Sequence, residues 1–433
     1  GVGIAADAYR YGVLRDQGYD AAEVEIARGH LVDALHALHL AMAITGTEGV
    51  IARGFIRTDI PGPGGAEPLT PLFDGEGNPL PPEKNNGTWR ADNSGGEYPN
   101  YIFEDSCSRD MIIGWATAFG AAWEVIAEDP AFDEALKDRL RADAAALGRM
   151  MMTVQASGYD LEIQDADGRP TFHAYLNENA FDRYYLPFLP FKDGQHATMS
   201  LGIMTALAYA SGDPDLAAYV DDALLGTRNF QGIIASNQLG ADFGVVTNYS
   251  NVNMIAAGFW LTARYVPASR PDAREKVRVG LAYQFYDRPG ASRQPKETMQ
   301  SLYDLDYVAG LADGGAFGPA SGDYDPVALA QAIETLHAFP EPPFWDIHRE
   351  NCDADEIAAN YCIADDGTEL HLLGYVGRGD TLVALEPIPM RIRPPSNYFW
   401  RSNPYEPNGG GDGSRLLPGV DFRFVYWAGR WAR

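Results

Sequence analysis

Basic residues are what this chain most conspicuously lacks: 33 Lys and Arg stand against 60 Asp and Glu, for a formal net charge of −27. No run of Lys or Arg forms a local exception, and a field of that sign repels phosphate backbones and anionic lipid surfaces. Nucleic acid is therefore not an expected partner. Long apolar runs are missing too. No stretch approaches the roughly 20 residues that a bilayer-crossing helix needs, so membrane insertion is not expected. The three cysteines are too few for a disulfide framework, and no metal-ligand spacing occurs, so neither metal nor cofactor is expected. A nucleophile elbow, a phosphate loop, a dinucleotide fingerprint and an HExxH helix are all absent, which removes support for those reaction classes. The first residues also lack an initiator Met, a basic region and an apolar core of signal-peptide type, and read as a trimmed start close to the first helix.

The apolar fraction of 46% and the charged fraction of 21% suit a folded globular chain. One signal recurs along it: a helical run ends, a short turn bearing Asp, Pro or Gly follows, and a second run begins. This happens around Asp129-Pro130, around Gly212-Asp213-Pro214 and between Pro267 and Asp272. Proline at a helix start supplies a preset φ and loses no hydrogen bond, so each is a sound helix–helix connection. Nearer the N-terminus, Asp20 with Glu23 forms a capping-box-like start and Gly46 a stop. A fifth pair brackets Gly314-Gly315, with MQSLYDLDYVAGLA before it and PVALAQAIETLHAF after it.

Many of these helices are apolar around most of their circumference, with Ala and Gly interspersed, as suits helices packed on both sides. The pattern predicts a mainly α fold, an α/α toroid of about five to six helical hairpins with inserted loops over 1–340. A small β-rich section over 341–433 is expected to pack on it rather than fold alone. The expected long loops are 54–104, 158–194 and 231–250. The second carries a β-hairpin around Asp167-Gly168, and VDFRFVYWAGRWAR closes the chain as a strand or short helix. Cys352 and Cys362 can pair in an oxidising compartment, leaving Cys107 alone. Acidity, aromatic content and one possible disulfide predict a secreted, periplasmic or cell-surface protein.

Four phrases, taken in order, resemble landmarks of the six-hairpin glycosidase-like superfamily, and in particular a group of secreted bacterial proteins within it. They are TGTEGVIARGF (Thr45 to Phe55), the helix start with Asp105, Cys107 to Arg109 and Gly114, DADGRPT (Asp165 to Thr171) and RPPSNYFWRSNPY (Arg393 to Tyr405). The resemblance covers most of the chain and implies the toroid. Proteins with that toroid include glycoside hydrolases, unsaturated glucuronyl hydrolases, polysaccharide lyases and uronyl epimerases. Arg109-Asp110 stands where an acidic or amide pair is more usual.

The junction from Trp89 to Asp110 brings Trp89, Tyr98, Tyr101, Phe103, Glu104, Asp105, Arg109 and Asp110 to the mouth of an apolar helix. Asp105 and Arg109 read as i,i+4 neighbours at the helix start, with Asp110 further round. They serve either as an N-cap with a surface ion pair or as part of the two-carboxyl machinery of glycosidic cleavage. A second cluster holds His173, Asn177, Glu178, Asp182, Arg183, Lys192 and His196, with Tyr175, Tyr184, Tyr185 and Phe188 able to stack on sugar rings. The alternative is a loop pinned over helix ends.

A third group, Asn248, Tyr249, Asn251 and Asn253, offers amides and a phenol, although Asn251 is also placed to cap the next helix. A fourth, Trp345, His348, Arg391, Arg393, Tyr398, Trp400 and Arg401, reads either as a pocket for a carboxylate-bearing sugar or as arginines paired with surface acids. His30, His36 and His39 read as packing or capping residues rather than ligands, and DADG as a hairpin turn. The expected function is cleavage of a polysaccharide or oligosaccharide by hydrolysis or lyase-type proton abstraction. Asp105, Asp110, His173 and Glu178 are its catalytic candidates. The alternative is a non-catalytic surface, structural or glycan-binding protein on the same fold.

Overall fold

The computed structural model describes residues 1–59, 76, 88–179, 191–291, 293–311, 325–353, 360–376, 381–396 and 402–432. The chain is mainly α, as its hairpin rhythm predicts. Among the described residues no helix is long and apolar enough to cross a membrane. The fold divides into two compact units, one holding Gly3–Lys192 and Met199–Phe230, the other Asp193–Thr198 and Gln231–Arg433.

In the first unit, α1 (Val2–Asp16) and α2 (Ala21–Ala43) form a hairpin. The Asp20 carboxylate caps α2 by accepting from the Ala22 amide at 2.9 Å. Past the end of α2, Gly46 turns the chain with φ +65°, and a Cβ there would lie 2.1 Å from the Asn93 carbonyl oxygen, so both conformation and space call for glycine. Next come β1 (Gly54–Arg57), β2 (Thr88–Ala91) and β3 (Tyr101–Asp105), an antiparallel sheet with β3 in the centre. The stretch expected to be a plain loop over 54–104 therefore carries a sheet.

The hairpin of α3 (Arg109–Ile126) and α4 (Glu134–Met152) turns on Asp129-Pro130 as predicted. Asp129 accepts from the Tyr11 hydroxyl and from Arg15 Nη1, both at 2.7 Å, and so ties this turn to α1. Burial works against its charge, yet these donors hold the Asp129 carboxyl below the usual carboxylate range. The strands β4 (Glu162–Gln164) and β5 (Pro170–Tyr175) form the expected hairpin on the DADG turn. Helix α5 (Gly194–Ser211) ends at Gly212-Asp213-Pro214, where α6 (Pro214–Ala218) begins and continues into π-helical turns over Tyr219–Thr227.

The second unit holds α7 (Phe230–Ser236), α8 (Tyr249–Tyr265), α9 (Pro271–Val279), α10 (Ser301–Leu311), α11 (Pro326–His337) and α12 (Val420–Trp431). Residues 231–250 are thus partly helical rather than loop. Helix α10 packs on α8, α11 and α12 and is buried along nearly its whole length. The last segment is a helix because Asp421, Phe424, Val425 and Ala428 fall on one buried face at helical spacing. Around residues 344–417 the β character expected of the C-terminal section appears as small sheets. In the largest, β6 (Tyr361–Ile363), β7 (Glu369–Val376) and β8 (Thr381–Ala384) run antiparallel. Their buried residues pack with Ile388, Ile392 and the Cys352–Cys362 disulfide. Cys107 is a free, buried thiol.

Candidate functional site

The junction that dominates the sequence is built differently from its reading as a helix start. Asp105 is the last residue of β3, opposite Thr88 of β2, and the N-cap of α3 is Ser108. Asp105 and Arg109 are therefore not i,i+4 neighbours on a helix, because strand pairing holds Asp105 before the helix begins. The Asp105 carboxylate, 2% exposed, lies 2.9 Å from Arg90 Nη2 and accepts the Ala166 amide at 3.2 Å. Arg90 also grips Asp167 at 2.8 Å, so the pair anchors the DADG hairpin against the sheet. Burial pushes the Asp105 carboxyl up to about 6 even though Arg90 opposes the shift.

Asp110 lies in the first turn of α3, where the exposed helix N–H groups favour a carboxylate, and it accepts from the Ser108 hydroxyl. Trp89 pairs in register with Glu104. Tyr101 packs edge-on against Phe55 and Tyr98 over a core of Leu40, Ile44, Ala52 and Phe103. These aromatics pack the sheet.

The second predicted cluster is equally saturated. Glu178, 3% exposed, receives Arg228 Nε at 3.1 Å and Nη2 on its other oxygen, a two-pronged grip. The same Arg228 reaches Asp160 at 2.6 Å, and Asn177 donates to Asp160 at 2.8 Å. What presents Arg228 is the wide end of the π-helical turns, where its amide bonds back to Ala223 at 2.9 Å. His173 is exposed in β5 with φ +61°, a left-handed conformation uncommon for a non-glycine residue, and its ring meets Phe172 edge-on at 4.2 Å. In the second unit, His196 pairs with Asp193 at the start of α5. Asp182, Arg183, Tyr184, Tyr185 and Phe188 lie outside the described residues, as do Tyr398, Trp400 and Arg401.

Among the remaining candidates, Asn248 rather than Asn251 caps α8, accepting the Ser250 amide at 3.0 Å. Trp345 is 54% exposed in a two-residue strand, and Arg391 makes a surface pair with Asp366 at 2.7 Å. His39 pairs with Asp143 at 2.8 Å. No group of three potential metal ligands occurs among the described residues.

Tyr249 and Arg393 behave otherwise. Tyr249 opens α8, is 4% exposed, and its hydroxyl has no hydrogen-bond partner among the described residues. One helical turn on, Asn253 Oδ1 is likewise unpartnered. The Tyr249 ring lies 6.3 Å from Tyr405, and the Arg293 guanidinium sits 3.7 Å above the Tyr405 ring. Both Arg293 and Arg393 act electrostatically on Tyr249 and Tyr405. Arg393, 1% exposed, uses Nε and Nη2 on the Ile388 carbonyl, at 3.1 and 2.7 Å, and Nη2 on Thr298. Among the described residues its Nη1 has no partner, nor does that of Arg293, whose Nη2 donates to the Ala384 carbonyl at 3.0 Å.

Buried Tyr303 adjoins this group from α10 and feels both Arg393 and Asp306. Asp306 is 1% exposed, neither of its oxygens has a hydrogen-bond partner among the described residues, and burial pushes its carboxyl well up. Two residues earlier, Asp304 accepts from the Tyr286 hydroxyl at 2.7 Å and from Gln331 at 3.0 Å. Burial still lifts its carboxyl to about 7. No family model, curated protein or solved structure matches the chain.

Arg293, Tyr303, Asp304 and Asp306 carry no site reading in the sequence. The available signal is YDLDYVAGL, two carboxylates two residues apart inside an otherwise apolar helix. Ionisable groups in a segment that must be buried mark perturbed protonation. The cluster offers guanidinium donors at Arg293 and Arg393, a phenol donor at Tyr249 and, in Asp306, a carboxyl that burial pushes toward its protonated form.

Proposed function

We propose that this chain is a secreted carbohydrate-active enzyme on an α/α toroid of five to six hairpins, cleaving a polysaccharide or oligosaccharide at the cluster of Tyr249, Arg293, Tyr303, Asp306 and Arg393. The helical hairpins on Asp- and Pro-bearing turns support the toroid, and the Cys352–Cys362 disulfide supports an oxidising compartment. One observation carries the choice of site: Tyr249 Oη, Arg293 Nη1, Arg393 Nη1 and both Asp306 oxygens are buried without a hydrogen-bond partner among the described residues. Native interiors seldom leave such atoms orphaned, and a polyhydroxylated ligand supplies the matching donors and acceptors. Tyr249 and Tyr405 add ring faces suited to sugar. Asp306, which burial pushes toward its protonated form, donates the proton to the leaving-group oxygen, and the Tyr303 phenol beside it can only relay, taking up one proton as it passes its own on.

Cleavage by Asp105 with Glu178 has little support, because each carboxylate is already gripped by an arginine. The same saturation favours the second reading, a glycan-binding protein without turnover. Digestion of a glycan panel separates them. Wild type is expected to cleave at least one glycan, Asp306→Asn to lose a hundredfold or more in rate, and Glu178→Gln to keep its rate if it stays folded. Binding without turnover on any glycan selects the binding reading.

A further inference from the structure

We infer that Arg293 and Arg393 form a buried anion site that takes the carboxylate of a small ligand. This rests on the reading of their cluster as the ligand site, but not on the ligand being a sugar. Removing a guanidinium from water costs several kcal/mol unless a counter-charge or full hydrogen bonding repays it. Here two are removed, at 7% and 1% exposure, and neither is paired with a carboxylate among the described residues. The chain carries 60 acidic residues, yet the groups that act on Arg393 are Tyr303, Tyr249 and Tyr405; Asp242 and Glu297 act on the tyrosines that Arg293 also faces, and among the described residues neither forms an ion pair with Arg293.

The carbonyls fix the geometry. Ile388 and Thr298 hold Arg393 by Nε and Nη2, and Ala384 holds Arg293 by Nη2. Each guanidinium is locked in orientation and left with Nη1 to offer. The Tyr249 hydroxyl, also unpartnered, adds a third donor. Three donors, two of them charged, are the chemistry that the lone pairs of a carboxylate call for. Arg293 at 7% and Gln294 at 9% exposure mark the solvent edge of the cluster. The Tyr249 hydroxyl is a poor counter-charge: burial, together with the neighbouring Tyr405, pushes its phenol far above the usual range, so it stays a neutral donor.

Isothermal titration of the full chain with glucuronate, citrate and glucose tests the site. Glucuronate or citrate is expected to bind, tenfold or more weaker in Arg393→Lys and Arg293→Lys, since a lysine cannot reproduce a locked guanidinium. Tyr249→Phe, which keeps the ring and the fold, is expected to weaken carboxylate binding about threefold or more and decides the matter if a lysine variant misfolds. Citrate binding without any sugar binding leaves the anion site standing and removes the carbohydrate reading. Glucose binding as well as glucuronate, with no change in the three variants, keeps the carbohydrate reading and overturns the anion site. Wild type that binds neither carboxylate also overturns it.

Discussion

The loop-borne acids of the first unit and the buried cluster of the second are opposites. Asp105 and Glu178 stand in polar, aromatic sequence and look catalytic, yet each ends in the grip of an arginine, with Asp160 and Asp167 drawn into the same networks. Tyr249, Arg393 and Asp306 stand in ordinary sequence and end with polar atoms to spare. A site is marked by hydrogen-bonding capacity left over after folding, not by the density of polar residues. The first region spends its carboxylates Asp105 and Glu178 on holding a hairpin and a loop, with Arg90 Nε, Glu162 Oε1 and Gln164 Nε2 left over among the described residues; the second leaves two guanidinium nitrogens, a phenol and both oxygens of a carboxyl.

That contrast is broken most sharply at Arg228. Replacing it with Ala leaves Glu178 and Asp160 without their shared cation, and stability is expected to fall by about 3–5 kcal/mol. Denaturant unfolding would reveal it, and a loss under about 1 kcal/mol would show that the network is not what anchors this region.

Asp304 tests the second unit through pH. Its folded carboxyl is raised to about 7, above the unfolded value near 3.8, so the folded state binds the extra proton. Its contribution is full below pH about 4 and is lost as pH rises toward 7. The stability difference between wild type and Asp304→Asn should shift by on the order of 3 kcal/mol across that window. A pH-independent difference would mean that Asp304 ionises normally.

The smallest expected effect has the opposite sign. Because both Asp306 oxygens lack partners, Asp306→Asn is expected to leave stability unchanged or raise it by about 1 kcal/mol, while turnover falls. A thermal melt that drops by several degrees would instead assign Asp306 a structural bond.

Much of the scaffold is legible from local chemistry. Asp129-Pro130, Gly212-Asp213-Pro214 and the DADG turn set their own φ values and caps, so no distant residue needs to be known to read them. Asp105 passes for a helix residue in the sequence because its strand is fixed by pairing with Thr88, a contact invisible in the residues beside it. For the same reason the arginine partners of Asp105 and Glu178, 15 and 50 positions away in the chain, are out of reach of local reading. Arg393 and Tyr249 stand out for their residue types, but an unpartnered atom is a property of the whole surrounding interior. The buried carboxylates of YDLDYVAGL are in plain view, and only their burial gives them meaning.

The bridge between Cys352 and Cys362, with Cys107 enclosed in the other unit, sets how the chain answers to thiol reagents. The intact fold offers no accessible thiol among its three cysteines, unfolding alone uncovers one, and the other two appear only after reduction. A protease cut between Cys352 and Cys362 would leave two fragments that travel as a single species until the bridge is reduced.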